Sequence, residues 1–370
     1  MMNADFLVIG AGIAGAGAAY ELSRHGRVIV LEAESQPGFH STGRSAALFS
    51  EIYGNAPVRA LSRASREFLL NPPTGFTPNA LLTPRGSLYI ANEEQIATFD
   101  SLQAAPDVAA HTRPLTRDEA RALVPILKTE WLERAMLEPG ASDVDVHALH
   151  QGYLRGMKER GATLVCASAA QSIVRERDGW RVIAGGQQYG ATILVNAAGA
   201  WADEVARLAG IQPVGLEPRR RTALLIDPPG THAITQWPMV LDVGDTFYFK
   251  PDAGKLLLSP ADETPTLPSD VQPDDLDVAI AVDRFEQATD VVVRNVRHKW
   301  AGLRSFVTDR SPVIGFDPRE SKFLWLVGQG GYGIQTAPAA SRLAAVLAAG
   351  AAVPAELAEV AVAVRPDRLP

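Results

Sequence analysis

Short apolar runs broken by glycine turns set the rhythm of the first 35 residues. Phe6-Leu7-Val8-Ile9 is followed by Gly10-Ala11-Gly12-Ile13-Ala14-Gly15, then by the small residues Ala16-Gly17-Ala18-Ala19. The pattern predicts a buried parallel strand over 6–9, a helix over 16–24 stopped by Gly26, and a second strand over 28–31 ending at Glu32. Two later stretches repeat the motif of an apolar strand running into small residues and a helix. One is residues 193–196, then Ala197-Ala198-Gly199-Ala200-Trp201 and a helix to about residue 208. The other is residues 323–327, then Gly328-Gln329-Gly330-Gly331-Tyr332-Gly333-Ile334-Gln335-Thr336 and an alanine-rich helix to about residue 347. Elsewhere strands dominate: 219–226 reads as one, and 246–250 with 255–259 as a hairpin around Pro251-Asp252-Ala253-Gly254. Segments around Asn71-Pro72-Pro73, Asp227-Pro228-Pro229-Gly230 and Thr264-Pro265 read as connections. The tail after Pro354 has a mixed pattern and no element is assigned to it.

A length of 370 residues carries a prior of roughly two to three domains. The 46% hydrophobic and 21% charged fractions are those of an ordinary globular chain able to bury a large core. Cys166 is the single cysteine, so an intramolecular disulfide and a cysteine-based metal site are excluded, and no metal centre is expected. The net charge of −7 and the lone basic run Arg219-Arg220-Arg221 argue against nucleic-acid binding. No apolar run reaches the roughly 18 to 20 residues of a membrane span. The N-terminus lacks the basic and long apolar regions of a signal peptide, and a cytoplasmic protein is expected.

The N-terminal unit carries a specific chemistry. Gly10 permits a tight turn, Gly12 lets the backbone approach a pyrophosphate, and Gly15 lets helix and strand pack closely. The helix start presents free N–H groups and the positive end of its dipole to phosphates. Glu32 lies 22 positions after Gly10, near the spacing of about 20 for a carboxylate that binds ribose hydroxyls. Its charge would repel the 2′-phosphate of NADP. An ADP-containing cofactor follows, with FAD and NAD both open at this point. Three further segments favour FAD: the small, polar stretch Gly38 to Ala47, the strand end at Asn196 to Trp201, and the helix start at Gly328 to Thr336. A helix N-terminus at the last of these would stabilise negative charge on a reduced flavin.

With these segments in view, the chain resembles the D-amino-acid oxidase family of flavoproteins, and within it the bacterial FAD-dependent D-arginine dehydrogenases. The similarity spans about residues 4–336 and is densest over 40–47, over Ala148-Leu149-His150-Gln151-Gly152-Tyr153-Leu154-Arg155-Gly156, over Trp300-Ala301-Gly302-Leu303-Arg304-Ser305-Phe306, and over 329–336. The resemblance implies an α/β fold: a Rossmann-type FAD-binding domain from residues 1–48, 140–211 and 304–370, and an α+β substrate domain from 49–139 and 212–303 with a mixed, mostly antiparallel sheet. It implies non-covalent FAD held by Gly10, Gly12, Ile13, Ala14, Gly15, Glu32, Ala33, Ser41, Thr42, Gly43, Arg44, Ser45, Ala46, Ala47, Leu48, Ala170, Gly199, Trp201, Gly330, Gly331, Tyr332, Gly333, Ile334 and Gln335.

The same resemblance implies oxidative deamination of an amino acid, with electrons passed on to a quinone, a carrier protein or oxygen. Arg221 and Arg304 match carboxylate-binding arginines, Tyr53 and Tyr248 match tyrosines that contact the substrate, and Gly331 matches a backbone carbonyl facing its amine. Strand alternation puts Arg221 on the face of Arg219 and opposite Arg220, but does not decide which way Tyr248 points. His40, His150 and His298 are conceivable bases, although hydride loss from a neutral amine requires none. His40 is also a conceivable covalent anchor. Two positions depart from the arginine-oxidising relatives, which carry an acid at Ser87 and a histidine at Leu48. Neutral or apolar D-amino acids are therefore expected over D-arginine, with secondary amines and imino acids such as sarcosine, proline or glycine as the alternative.

Overall fold

The computed structural model describes residues 1–230 and 233–369. Its first sheet has eight strands. Five run parallel, in the spatial order Glu320–Val327, Gln187–Asn196, Met2–Ile9, Val28–Leu31 and Thr163–Val165. The central strands are apolar throughout because helices and a crossover layer cover both faces. Helices Ile13–Leu22, Val146–Glu159 and Gly333–Ala348 bury one face against Val8, Val30 and Val195. Trp180, Phe323 and Trp325 fill the other.

The first helix begins at Ile13, three residues before the expected start, with Gly12 at the N-cap. Glycine's poor helix propensity hid this start. Packing explains why glycine is tolerated there: a Cβ on Gly15 would stand 1.9 Å from the Gly10 carbonyl oxygen. The helix ends at Leu22, before the expected residue 24, and Ser23 to Gly26 form the turn that follows.

The second sheet has nine strands and is mixed but mostly antiparallel. Only Met239–Asp242 against Ser87–Ala91 is parallel. Strand Glu217–Ile226 forms its spine, paired along its length with Val296–Phe306. The hairpin spans Tyr248–Asp252 and Lys255–Ser259, so its first strand lies two residues later than the pattern suggested. The turn has only two residues, Ala253 and Gly254, both with positive φ (46° and 75°), the type I′ geometry that matches strand twist. Pro251 is accommodated because it pairs with Leu256 at a non-hydrogen-bonded position of the ladder. The C-terminal tail forms short helical turns, Ala355–Leu357, Ala358–Ala363 and Pro366–Arg368. Among the described residues no helix is long and apolar enough to cross a membrane.

Candidate active site

Register brings the glycine turn, Glu32 and the small-residue strand end to one level. Ile9 pairs with both Asn196 and Leu31, so Gly10, Ala197 and Glu32 emerge together at the carboxyl ends of the parallel strands. That edge is where open α/β sheets bind ligands. Gly10 has φ +99°, and a Cβ there would meet the Ala197 carbonyl oxygen at 2.6 Å. The Glu32 carboxylate accepts from Ala11 N at 2.7 Å and Glu34 N at 2.9 Å, which fixes it beside the turn. Thr42 Oγ1 accepts from Ile13 N at 3.0 Å and so ties the loop to the helix start.

A long cleft starts here. Its first part is lined by Gly10, Gly12, Glu32, Ala33, His40, Ala170, Gly199 and Trp201. Its second part shares Gly12, Ser41, Thr42, Ala197, Gly199 and Ala200 with the first. It continues past Ile13, Ala14, Arg44, Ser45, Ala46, Gly330, Gly331, Gly333 and Ile334 to Arg221, Tyr248 and Arg304. The first part has a volume of about 1150 Å³ and the second about 960 Å³, open solvent at the mouth included. Helix Gly333–Ala348 has no side-chain cap, and its first residues line the cleft, so its positive dipole end faces it. The bare glycine turn, the small-residue wall and the uncapped start of helix Gly333–Ala348 fit FAD along the whole cleft.

Other expected contact residues stand behind the wall. Gly15 packs on Gly10, and Gly43 and Ala47 line a separate cavity on the far side of the loop. Gln335 is buried, with Oε1 accepting from Ser50 N at 3.1 Å and Nε2 donating to Ser62 Oγ at 2.7 Å. Tyr332 packs edge-on to Tyr53, ring centroids 5.0 Å apart. Leu48 and Ser87 do not line the cleft either. Leu48 packs beside Tyr248 in an apolar cluster, and Ser87 is fully buried with its hydroxyl unpartnered. Arg44 lines the cleft, but its guanidinium binds Asp270 and the carbonyls of Ala301 and Val271.

The far end of the cleft is built on one sheet face. Arg304 stands directly opposite Arg219, and Arg221 opposite Gly302, so Arg219, Arg221 and Arg304 share a face. Arg220 points the other way, to Asp277 at 2.7 Å. Arg221 is buried and gives one nitrogen to Glu263 at 3.2 Å, while its Nε and Nη1 have no partner. Arg219 and Arg310 also pair with Glu263, so one carboxylate answers three cations. Burial works to raise the Glu263 pKa, but Arg310, Arg221 and Arg219 hold it below its ordinary value. Arg304 donates to Tyr53 Oη at 3.1 Å. Burial would lower its pKa, yet Tyr53, Tyr248 and Asp245 outweigh that and raise it, so it is a fixed cation. Tyr332 is pushed up to about 12, by burial first and then by Tyr53; its hydroxyl is neutral at pH 7. Tyr248 is buried with its side chain at the cleft, while Phe247 and Phe249 pack on the opposite face.

The histidines lie elsewhere. His40 bonds Glu34 at 2.8 Å at the Glu32 end of the cleft. His150 is buried against the Ala11 carbonyl at 2.8 Å, and burial lowers its pKa. His298 stacks on Trp300 at the exposed start of its strand. Glu263 and Arg310 were not foreseen. Only the pairing of distant segments puts them beside Arg221, so no local motif marks them.

The model of the FAD dependent oxidoreductase family, DAO, matches residues 5–347. FAD-dependent oxidoreductase domain-containing protein 1 of Bos taurus is 25% identical over 93% of this chain and 80% of its own length. A glycine oxidase of Pseudomonas aeruginosa is 28% identical over 94% of this chain and 96% of its own. Among solved structures, L-proline dehydrogenase from P. horikoshii superposes with a TM-score of 0.85 at 22% identity, covering 99% of this chain and 98% of its own.

Proposed function

The chain belongs to the DAO family of FAD-dependent oxidoreductases, and we propose that it oxidises the C–N bond of a small amino acid with an uncharged side chain. The observation that carries this is the cationic end of the cleft. Arg221 presents two buried, unpartnered N–H donors there, next to the fixed cation Arg304. Buried donors of this kind are costly until an anion fills them, and a carboxylate matches the fork geometry of a guanidinium.

Bound FAD supplies the acceptor for the hydride that leaves the carbon next to nitrogen. Arg221 and Arg304 hold the carboxylate, and Tyr53 keeps Arg304 in place. Tyr248 closes the apolar side of the site with Leu48 and Ile52 behind it. No carboxylate among the cleft-lining residues at this end faces the site to pair with a cationic side chain. The acid nearest Ser87, Glu138, is already engaged by Ser50 and Glu51. This supports neutral D-amino acids over D-arginine. N-substituted glycines and imino acids are the second reading, favoured by likeness to proteins named glycine oxidase and L-proline dehydrogenase.

The test is anaerobic bleaching of the bound flavin across D-, L- and N-substituted amino acids. Rapid bleaching by D-leucine, D-methionine or D-phenylalanine supports the first reading, and by sarcosine, glycine or proline the second. D-arginine outperforming all of these, or no bleaching by any, overturns the proposal.

A further inference from the structure

Glu138 ends strand Arg134–Glu138 and is buried with 1% of its surface exposed. It lines neither part of the cleft. Its Oε2 accepts from Ser50 Oγ at 2.7 Å and its Oε1 from Glu51 N at 2.8 Å. Ser50 N in turn donates to Gln335, which reaches Ser62, while Ser65 Oγ accepts from Ala339 N at 3.1 Å. One carboxyl group thus links the nine-stranded sheet, the segment 50–53, and helices Gly333–Ala348 and Ala56–Leu70. Three residues beyond Ser50, Tyr53 accepts the hydrogen bond of Arg304 and packs on Tyr332, the N-cap of the helix that carries Gln335.

The surroundings do not pay for a buried acid. The groups facing it are Ser50, the Glu51 carboxylate, Tyr89 and Ser87, the last directly across the ladder with its hydroxyl unpartnered. His111 acts on it only from beside Glu51, and Arg66 pairs with Glu51 instead. A leucine would fill the space but leave Ser50 Oγ–H and Glu51 N–H without their acceptor, so the two hydrogen bonds rather than packing account for the residue.

We propose that Glu138 is a positioning residue for the carboxylate site: by holding segment 50–53 against helix Gly333–Ala348 it sets where Tyr53 meets Arg304. This rests on the reading of Arg304 as a substrate-carboxylate group. Glutamine can keep both contacts with one reversed, its Oε1 accepting from Glu51 N and its Nε2 donating to Ser50 Oγ, as the O–H of a neutral carboxylic acid would; alanine keeps neither.

The experiment compares the FAD-loaded wild type with E138Q, E138A and S50A. Acetate affinity is read from the perturbed flavin spectrum, and KM and kcat from the best substrate of the panel. Loss of the contacts in E138A and S50A weakens acetate binding and raises KM by roughly tenfold each, with kcat within about threefold, and E138Q stays within about threefold of wild type. Wild-type acetate affinity and KM in E138A overturn the proposal, even with a lower melting temperature. If E138A does not fold, unchanged values in S50A overturn it equally. A wild type that neither binds acetate nor bleaches with any amino acid overturns the functional reading and this proposal with it.

Discussion

Gly331 lays its bare Cα against the guanidinium of Arg304: a Cβ there would stand 2.6 Å from Nη1 and 2.7 Å from Cζ. The neighbouring Gly330 is as tightly placed, with φ +52° and a notional Cβ 2.3 Å from the Phe306 ring. The glycine run before helix Gly333–Ala348 therefore serves two ends. It lines the cleft, and it leaves room for the Arg304 guanidinium.

Gly331→Ala should push Arg304 off its seat. Overpacking of this kind costs about 1 to 3 kcal/mol, which predicts a KM raised by roughly tenfold with FAD still bound. Steady-state kinetics and the visible absorbance of the purified variant check it; an unchanged KM would show that Arg304 moves without loss.

Arg304→Ala removes a charged donor group from the proposed carboxylate site. Truncating one partner of a buried charged pair costs about 2 to 5 kcal/mol, so KM should rise by about 30-fold or more while flavin content holds. Tyr53→Phe deletes only the hydroxyl that accepts from Arg304 and should raise KM by about tenfold, in line with the lower end of about 1.5 kcal/mol for one hydrogen bond to a charged group. Equal kinetics for R304A and wild type would refute the carboxylate grip.

Glu32→Ala strips the acceptor from two backbone N–H groups, Ala11 and Glu34. Orphaned donors cost about 1 to 3 kcal/mol, and whatever binds only the folded state stabilises it by mass action. The variant should lose FAD on gel filtration and melt at a lower temperature than wild type. Full FAD occupancy after the column would contradict the assignment of Glu32.

Glu138 gives the fold a pH dependence of a defined sign. Burial raises its pKa from 4.5 to about 7, against the lowering effect of Ser50 and the Glu51 amide. Between these values the folded chain holds a proton that the unfolded chain has lost. Its contribution is therefore fully present below about pH 4.5 and is lost as pH rises to about 7, a change of a few kcal/mol. Denaturant unfolding of wild type and Glu138→Gln from pH 5 to 8 should show wild type losing stability relative to the variant; parallel curves would place the Glu138 pKa near its ordinary value.

Much of the nucleotide end was legible from the chain alone. Its parts lie within about 35 residues, and each acts through backbone geometry: the turn at Gly10, the close packing at Gly15, the carboxylate at Glu32. Strand alternation likewise separated Arg219 and Arg221 from Arg220, because a period of two needs no partner to be read. Boundaries were less legible. The first helix starts at Ile13 because its glycines are favoured by contact with the strand, which propensity does not register.

The tertiary structure decided what depends on pairing. Tyr248 faces the cleft because its strand sits between two others in a set register, and Tyr53 reaches Arg304 across 251 positions of sequence. Glu263 becomes the shared counterion of Arg219, Arg221 and Arg310, and Glu138 the tie between sheet and helices, only once distant segments meet. Leu48 and Ser87 moved from the expected wall of the pocket to the packing behind it for the same reason. A sequence determines which residues can bend a backbone or carry a charge; burial and register determine which of them meet, and so which charges are left unanswered for a ligand to fill.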